Sequence, residues 1–149
     1  MQRISIKIKR LESSLNLPLP DYETEGSSGI DIRASVKEPL LLKPGEIKLI
    51  PTGVAVSIPP GYEGQIRPRS GLSLKHGIGL VNSPGTIDSD YRGEIGIIMI
   101  NLGERPFTVK RGDRIAQMII SKVYRAALVE VDELDSTERG GGGFGHSGV

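Results

Sequence analysis

Val54-Ala-Val-Ser-Ile-Pro-Pro-Gly-Tyr-Glu-Gly-Gln-Ile-Arg67 reads as strand, turn, strand. Val54 to Ile58 is short and rich in branched apolar residues. Pro59-Pro-Gly61 cannot continue a strand and favours a tight turn. Tyr62 to Arg67 then alternates apolar and polar residues, the period of a half-buried strand. The same grammar recurs on both sides. Upstream, Ile4, Ile6 and Ile8 alternate with Ser5, Lys7 and Lys9, which predicts a strand with one buried face. Gly29 to Ala34, Leu40 to Leu42 and Glu46 to Ile50 follow, the last two separated by a Lys43-Pro-Gly45 turn. Downstream, Gly93 to Ile100 is apolar enough to be covered on both faces. Phe107–Val109, Arg114–Ile120 and Ala127–Val131 complete the strands. One short helical segment is expected, Leu72 to His76. With 20 Gly and 10 Pro, breakers make up a fifth of the chain, which suits many short strands. The expected fold is all-β, a sandwich or jelly roll.

A chain of 149 residues with 37% hydrophobic and 25% charged residues is one globular domain, not a disordered segment. Its net charge of +1 and lack of a basic stripe argue against duplex nucleic acid as a partner. With no cysteine and two histidines, thiolate metal sites, disulfides and cysteine nucleophiles are excluded. No apolar run approaches the roughly 20 residues of a membrane span, and the N-terminus has no signal-peptide core. No membrane contact and a cytoplasmic setting are therefore expected. After Val131 apolar content nearly vanishes, and six residues between Gly140 and Gly148 are glycine. The expected organisation is a β domain over residues 1–133 and a mobile lid over 134–149.

Five places break the strand logic. In Ser27-Ser-Gly-Ile-Asp-Ile-Arg-Ala34, Asp31 interrupts an apolar strand; it either caps a turn or faces metal-bound water or phosphate. In Arg67-Pro-Arg-Ser-Gly-Leu-Ser-Leu-Lys75, Arg69, Ser70 and Gly71 offer a cation, a hydroxyl and a bare backbone NH, the groups phosphate oxygens need. An ordinary strand end with solvated arginines reads equally well. In Val81-Asn-Ser-Pro-Gly-Thr-Ile-Asp-Ser-Asp-Tyr-Arg-Gly-Glu94, Asn82 carries a donor and an acceptor, as a uracil edge does. Asp88 follows Thr86 and Ile87 and is expected to be partly desolvated, able to take a proton from water. Tyr91 offers a flat face to a sugar; the plainer alternative is a solvated, charged turn. In Arg111-Gly-Asp-Arg-Ile-Ala-Gln-Met118, Gln117 is an amide in an apolar strand and needs a partner, for which phosphate-bound water would serve. Asp113 and Arg114 read as a structural ion pair or turn.

The fifth is Glu138-Arg-Gly-Gly-Gly-Gly-Phe-Gly-His-Ser-Gly148. Gly140 and Gly145-His146-Ser147 match P-loop spacing except at the lysine. Only Gly148 and Val149 follow, so no helix is expected there. Successive glycine NH groups can still curl around phosphate. Phe144, one of two phenylalanines, has no core to join and is placed to stack on a base, whereas a plain linker would have no use for it.

Taken in order, Ser28-Gly-Ile-Asp31, Pro68-Arg-Ser-Gly-Leu72, Gly85-Thr-Ile-Asp-Ser-Asp-Tyr-Arg-Gly93, Gly112-Asp-Arg-Ile-Ala-Gln117 and the Glu138 to Gly145 tail resemble the five motifs of the trimeric dUTPase family. The resemblance implies a distorted jelly roll of the β-clip type, a homotrimer with shared active sites, and Mg2+-dependent hydrolysis of dUTP to dUMP and pyrophosphate. It implies that Asn82, Gly85, Thr86 and Ile87 hold uracil, that Tyr91 packs under deoxyribose, and that Asp88 deprotonates the water attacking the α-phosphorus. Arg69, Ser70, Gly71 and Gln117 would bind phosphates, with Asp31 reaching Mg2+ through water. Arg139, Gly145, His146 and Ser147 would close on the phosphates while Phe144 stacks on uracil. His146 stands where many family members carry a hydroxyl; an imidazole can donate a hydrogen bond there, more strongly when protonated. A dCTP deaminase on the same fold is the nearest rival, disfavoured by the Thr86 to Tyr91 hairpin. A regulatory protein that kept the fold is a second, disfavoured by intact Asp88, Tyr91, Arg139 and Phe144.

Overall fold

The structure, a computed structural model, describes residues 3–146. Ten strands form in chain order: β1 (Lys7–Arg10), β2 (Ile30–Arg33), β3 (Leu40–Leu42), β4 (Ile47–Ser57), β5 (Tyr62–Arg67), β6 (Ile78–Leu80), β7 (Gly85–Ile87), β8 (Glu94–Asn101), β9 (Phe107–Val109) and β10 (Arg114–Lys122). One α-helix, α1 (Ser70–His76), lies between β5 and β6, and a short 3-10 turn, Glu12–Ser14, follows β1. The strands pair antiparallel into two four-stranded sheets, β1-β4-β8-β6 and β2-β10-β5-β7, with β3-β9 as a separate pair. The fold is the expected all-β jelly roll. The sheets bury a common core that includes Ile32, Ile50, Ile66, Ile97, Met99 and Met118.

The turns follow the residue chemistry. Gly45 and Gly61 adopt φ of +78° and +85° in the Lys43-Pro-Gly45 and Pro59-Pro-Gly61 turns, conformations that L side chains adopt only at a cost. Helix α1 starts two residues earlier than expected, at Ser70, and ends where Gly77 takes a left-handed conformation. A bulge interrupts β4 against β8, between Pro51 and Ala55.

Three strand expectations need correction. The N-terminal strand begins only at Lys7, and Ile8 stays 38% exposed. As an edge strand, β1 pairs with β4, and no strand among the described residues pairs with its outer side. Strand β8 is not covered on both faces: Ile95, Ile97 and Met99 are buried while Ile98 and Ile100 are half-buried. The Ala127–Val131 segment forms no strand, and Leu128 and Val129 are 95% and 78% exposed. A strand needs a partner edge, and this segment meets none in its own chain. The last strand therefore ends at Lys122.

Asn101 is fully buried at the end of β8. Its Nδ2 donates to the carbonyls of Leu42 (2.9 Å) and Arg105 (2.8 Å), and its Oδ1 accepts from the Gly103 NH (2.9 Å). Asn101→Leu leaves these three backbone groups without partners, so unfolding measured in urea should show a loss of about 3 kcal/mol. A change under about 0.5 kcal/mol, the size usual for surface positions, refutes that role.

Candidate active site

The expected site residues fall into two clefts and a tail. The first cleft, about 210 Å³, is lined by Asn82, Gly85, Thr86, Ile87, Asp88 and Tyr91, together with Glu94 and the edge of β8. Strand β7 sets its floor by pairing with β5, Gly85 opposite Ile66. A Cβ on Gly85 would lie 3.0 Å from Asn82 Nδ2 and 3.4 Å from Ile66 Cβ, so the bare glycine lets the hairpin close on itself. Ile87 is buried and fixes the strand; Asp88, the next residue, points out. The expectation that Asp88 is partly desolvated fails, because it is exposed. Thr86 and Ile87 before it in sequence do not desolvate the carboxylate, because within the single chain the facing wall is open. Among the described residues it has no ion-pair partner. Tyr91 is 43% exposed, and its Oη donates to the Glu94 carbonyl at 2.9 Å.

The second cleft, about 720 Å³, gathers Asp31, Arg69, Ser70, Gly71 and Gln117, with Glu23, Arg67, Lys75 and His76 around them. Register explains the gathering: Gln117 of β10 pairs with Asp31 on one side and Arg67 on the other. Asp31 is not a simple turn cap. One of its oxygens meets Arg69 Nε at 3.1 Å and the other meets Arg114 at 3.0 Å, and Arg114 also reaches Glu23 at 2.7 Å. Of the two expectations for Asp113 and Arg114, an ion pair or a turn, the ion pair fails, since Arg114 pairs with Asp31 and Glu23. Asp113 instead closes the turn before β10 by accepting from the Lys110 NH at 2.7 Å. Gln117 donates to the Pro68 carbonyl at 2.9 Å. A Cβ on Gly29 would lie 2.3 Å from Gln117 Oε1, so glycine there leaves room for the amide.

No residue lines both clefts. Ile66 borders the first and Arg67 the second, and consecutive strand residues point to opposite faces. The tail joins neither: Arg139, Phe144, Gly145 and His146 line no part of either cleft. Arg139 Nε donates to Gly142 O at 2.7 Å, and Phe144 is fully exposed. Ser147 lies outside the described residues. Among the described residues no three carboxylate or imidazole groups converge as a metal cage, and no helix is long and apolar enough to cross a membrane. Sequence reasoning missed Glu94, Lys75 and His76 as cleft residues and did not foresee the pairing of Arg114 with Asp31. Register and helix placement bring them there, and neither leaves a local signal.

Comparison with known proteins identifies the family. The family described as dUTPase matches residues 16–148. A deoxyuridine 5'-triphosphate nucleotidohydrolase of Caldanaerobacter subterraneus is 58% identical over 98% of this chain and 99% of its own length. One from an Anaeromyxobacter species is 56% identical over 97% and 98%. Among solved structures, a variant of the Staphylococcus bacteriophage 80alpha dUTPase with dUpNHpp superposes with a TM-score of 0.87 at 32% identity, covering 97% of this chain and 99% of that one. A variant dUTPase from phage phi11 of S. aureus, described with a structural Mg(II) ion, gives 0.78 at 28% identity, covering 87% and 98%.

Proposed function

The chain belongs to the dUTPase family, and from that premise we infer that it hydrolyses dUTP to dUMP and pyrophosphate at sites shared between subunits of a homotrimer. It is a hydrolase acting on dUTP; a dCTP deaminase is not favoured. The observation that carries the shared site is the division of the groups between two clefts with no residue in common. In this reading the nucleotide lies with its base against Asn82 in the first cleft of one subunit and its phosphates against Arg69 in the second cleft of another. Exposed Ile47, Leu49, Val81 and Leu102, with Leu128 and Val129 on the unpaired arm, supply apolar surface for such assembly.

In this reading Asn82 and the hairpin backbone at Gly85, Thr86 and Ile87 bind uracil, and Tyr91 packs under deoxyribose, where a 2′-hydroxyl collides. Asp88 takes the proton of the water that attacks the α-phosphorus. Arg69, Ser70, Gly71 and Gln117 hold the phosphates. Residues 134–149 act as the lid: Arg139, Gly145, His146 and Ser147 meet the terminal phosphates and Phe144 covers the base. Closure excludes water other than the nucleophile.

Mg2+ fits the second cleft. Its oxygen donors, the Asp31 carboxylate and the Gln117 amide, suit a hard cation. Both Asp31 oxygens already face guanidinium groups, so Asp31 would meet the ion through water while the substrate phosphates would supply most of its ligands. Bound there, the ion neutralises charge building on the phosphate oxygens. A cytoplasmic setting completes the reading.

Pyrophosphate release from dUTP, UTP, dTTP and dCTP with Mg2+ tests the activity. A preference for dUTP over UTP on the order of a hundredfold or more is expected, since a misplaced hydroxyl in a fitted site costs several kcal/mol. No turnover of dUTP overturns the reading, and ammonia from dCTP points to the deaminase. Mixing tests the sharing. Asp88→Asn and Arg69→Ala chains, each nearly inactive, should regain about a quarter of wild-type activity when refolded together, from the statistics of random threefold mixing. No recovery would show that one subunit supplies both halves.

A further inference from the structure

We propose that Glu94 is the positioning residue for sugar selection: its carboxylate anchors the β4 bulge, and its carbonyl holds the phenol of Tyr91. The inference rests on the reading of Tyr91 as the face under deoxyribose.

The geometry forms a continuous chain. Glu94 Oε1 accepts from the NH groups of Thr52 (3.1 Å) and Gly53 (2.8 Å), the bulged residues of β4. Hydrogen bonds to an ionised carboxylate are shorter and stronger than neutral ones. The bulge is itself fixed from behind. Gly53 has φ of +67°, and a Cβ there would lie 2.4 Å from Ser14 Cβ. Its carbonyl accepts from the Leu11 NH at 2.8 Å and from Ser14 Oγ. The Glu94 carboxylate therefore grips a rigid frame.

The other end of Glu94 faces the cleft. Tyr91 Oη donates to the Glu94 carbonyl at 2.9 Å. A Cβ on Gly93 would lie 2.4 Å from that oxygen, so the intervening glycine lets the ring fold back onto the backbone. The Tyr91 NH donates to Asp88 O at 3.2 Å, which puts the ring and the Asp88 turn in one unit. Among the described residues the exposed ring has this single polar tether. Rejecting one extra hydroxyl requires the ring to stay within about half an ångström of its place. Where the Glu94 carbonyl sits decides that, and the carboxylate fixes this residue beside the bulge together with its strand pairing to Ala55.

The test is the ratio of kcat/KM for dUTP to that for UTP, with melting temperature followed in parallel. Glu94→Ala should lower the ratio about tenfold, the size of one lost methylene-scale fit. Glu94→Gln keeps an acceptor oxygen at the same reach and should stay within about threefold. Tyr91→Phe removes the tether from the other side and should lower the ratio like Glu94→Ala. The double variant should be no worse than the poorer single, because both break one chain. An unchanged ratio in Glu94→Ala, whatever its melting temperature, overturns the proposal, as do losses that multiply in the double variant. If Glu94→Ala does not fold, Glu94→Asp decides, since its carboxylate is one methylene too short to reach both NH groups. A lowered ratio supports the proposal and an unchanged one overturns it. Absence of discrimination in the wild type would instead defeat the reading of Tyr91.

Discussion

Asp88→Asn is expected to bind dUTP as the wild type does and to hydrolyse it more slowly by a factor of about 10² to 10⁴, the usual contribution of a general base. The substitution preserves shape and one acceptor oxygen, so water can still be held near the α-phosphorus. It removes the group that takes the proton. The fold is not at stake: Asp88 is exposed, and Ile87 beside it carries the burial that fixes β7. Calorimetric titration with dUTP gives the affinity, and pyrophosphate release gives turnover. A dissociation constant within about threefold of wild type, less than 1 kcal/mol, together with collapsed turnover places Asp88 at the chemical step. Near-normal turnover removes it as the base.

Deleting residues 138–149 should leave the β domain folded and lower kcat by about a hundredfold or more, the scale of losing preorganised charge over a phosphate. No described residue beyond Lys122 belongs to a strand, and none lines either cleft. Arg139 is bonded to its own Gly142 carbonyl, and Phe144 touches no core. Thermal unfolding should therefore shift by no more than a surface change, about 0.5 kcal/mol. In the proposed reading the tail contributes only when it closes on a nucleotide, and its removal then admits water and loses Arg139. Full activity in the truncated chain refutes the lid. A collapsed melting transition would mean that the tail supports the fold instead.

Both predictions begin from residues legible in the sequence. Asp88, Tyr91, Arg69, Gln117 and Phe144 each broke a local rule: a carboxylate or amide among apolar residues, a ring among glycines. Strand periodicity located most of the sheet and both proline-glycine turns. It failed at Ala127–Val131 and at the outer sides of β1 and β8, for one reason. Alternation records which residues want burial, and among the described residues nothing covers these faces. It also misjudged Asp88, because desolvation depends on the wall facing a carboxylate and not on its neighbours in sequence.

The sequence by itself determined the chemistry available: which groups can bind phosphate, meet a base or accept a proton, and that they sit on short strands and turns. Only the tertiary structure decided how those groups are shared out. Antiparallel register set Asp31, Arg69 and Gln117 in one cleft and Asn82, Asp88 and Tyr91 in another. It gave Asp31 two arginines and tied Glu94 to a bulge some forty residues away in sequence. Pairing across strands is fixed by the whole sheet burying its core at once, so no local stretch could announce it.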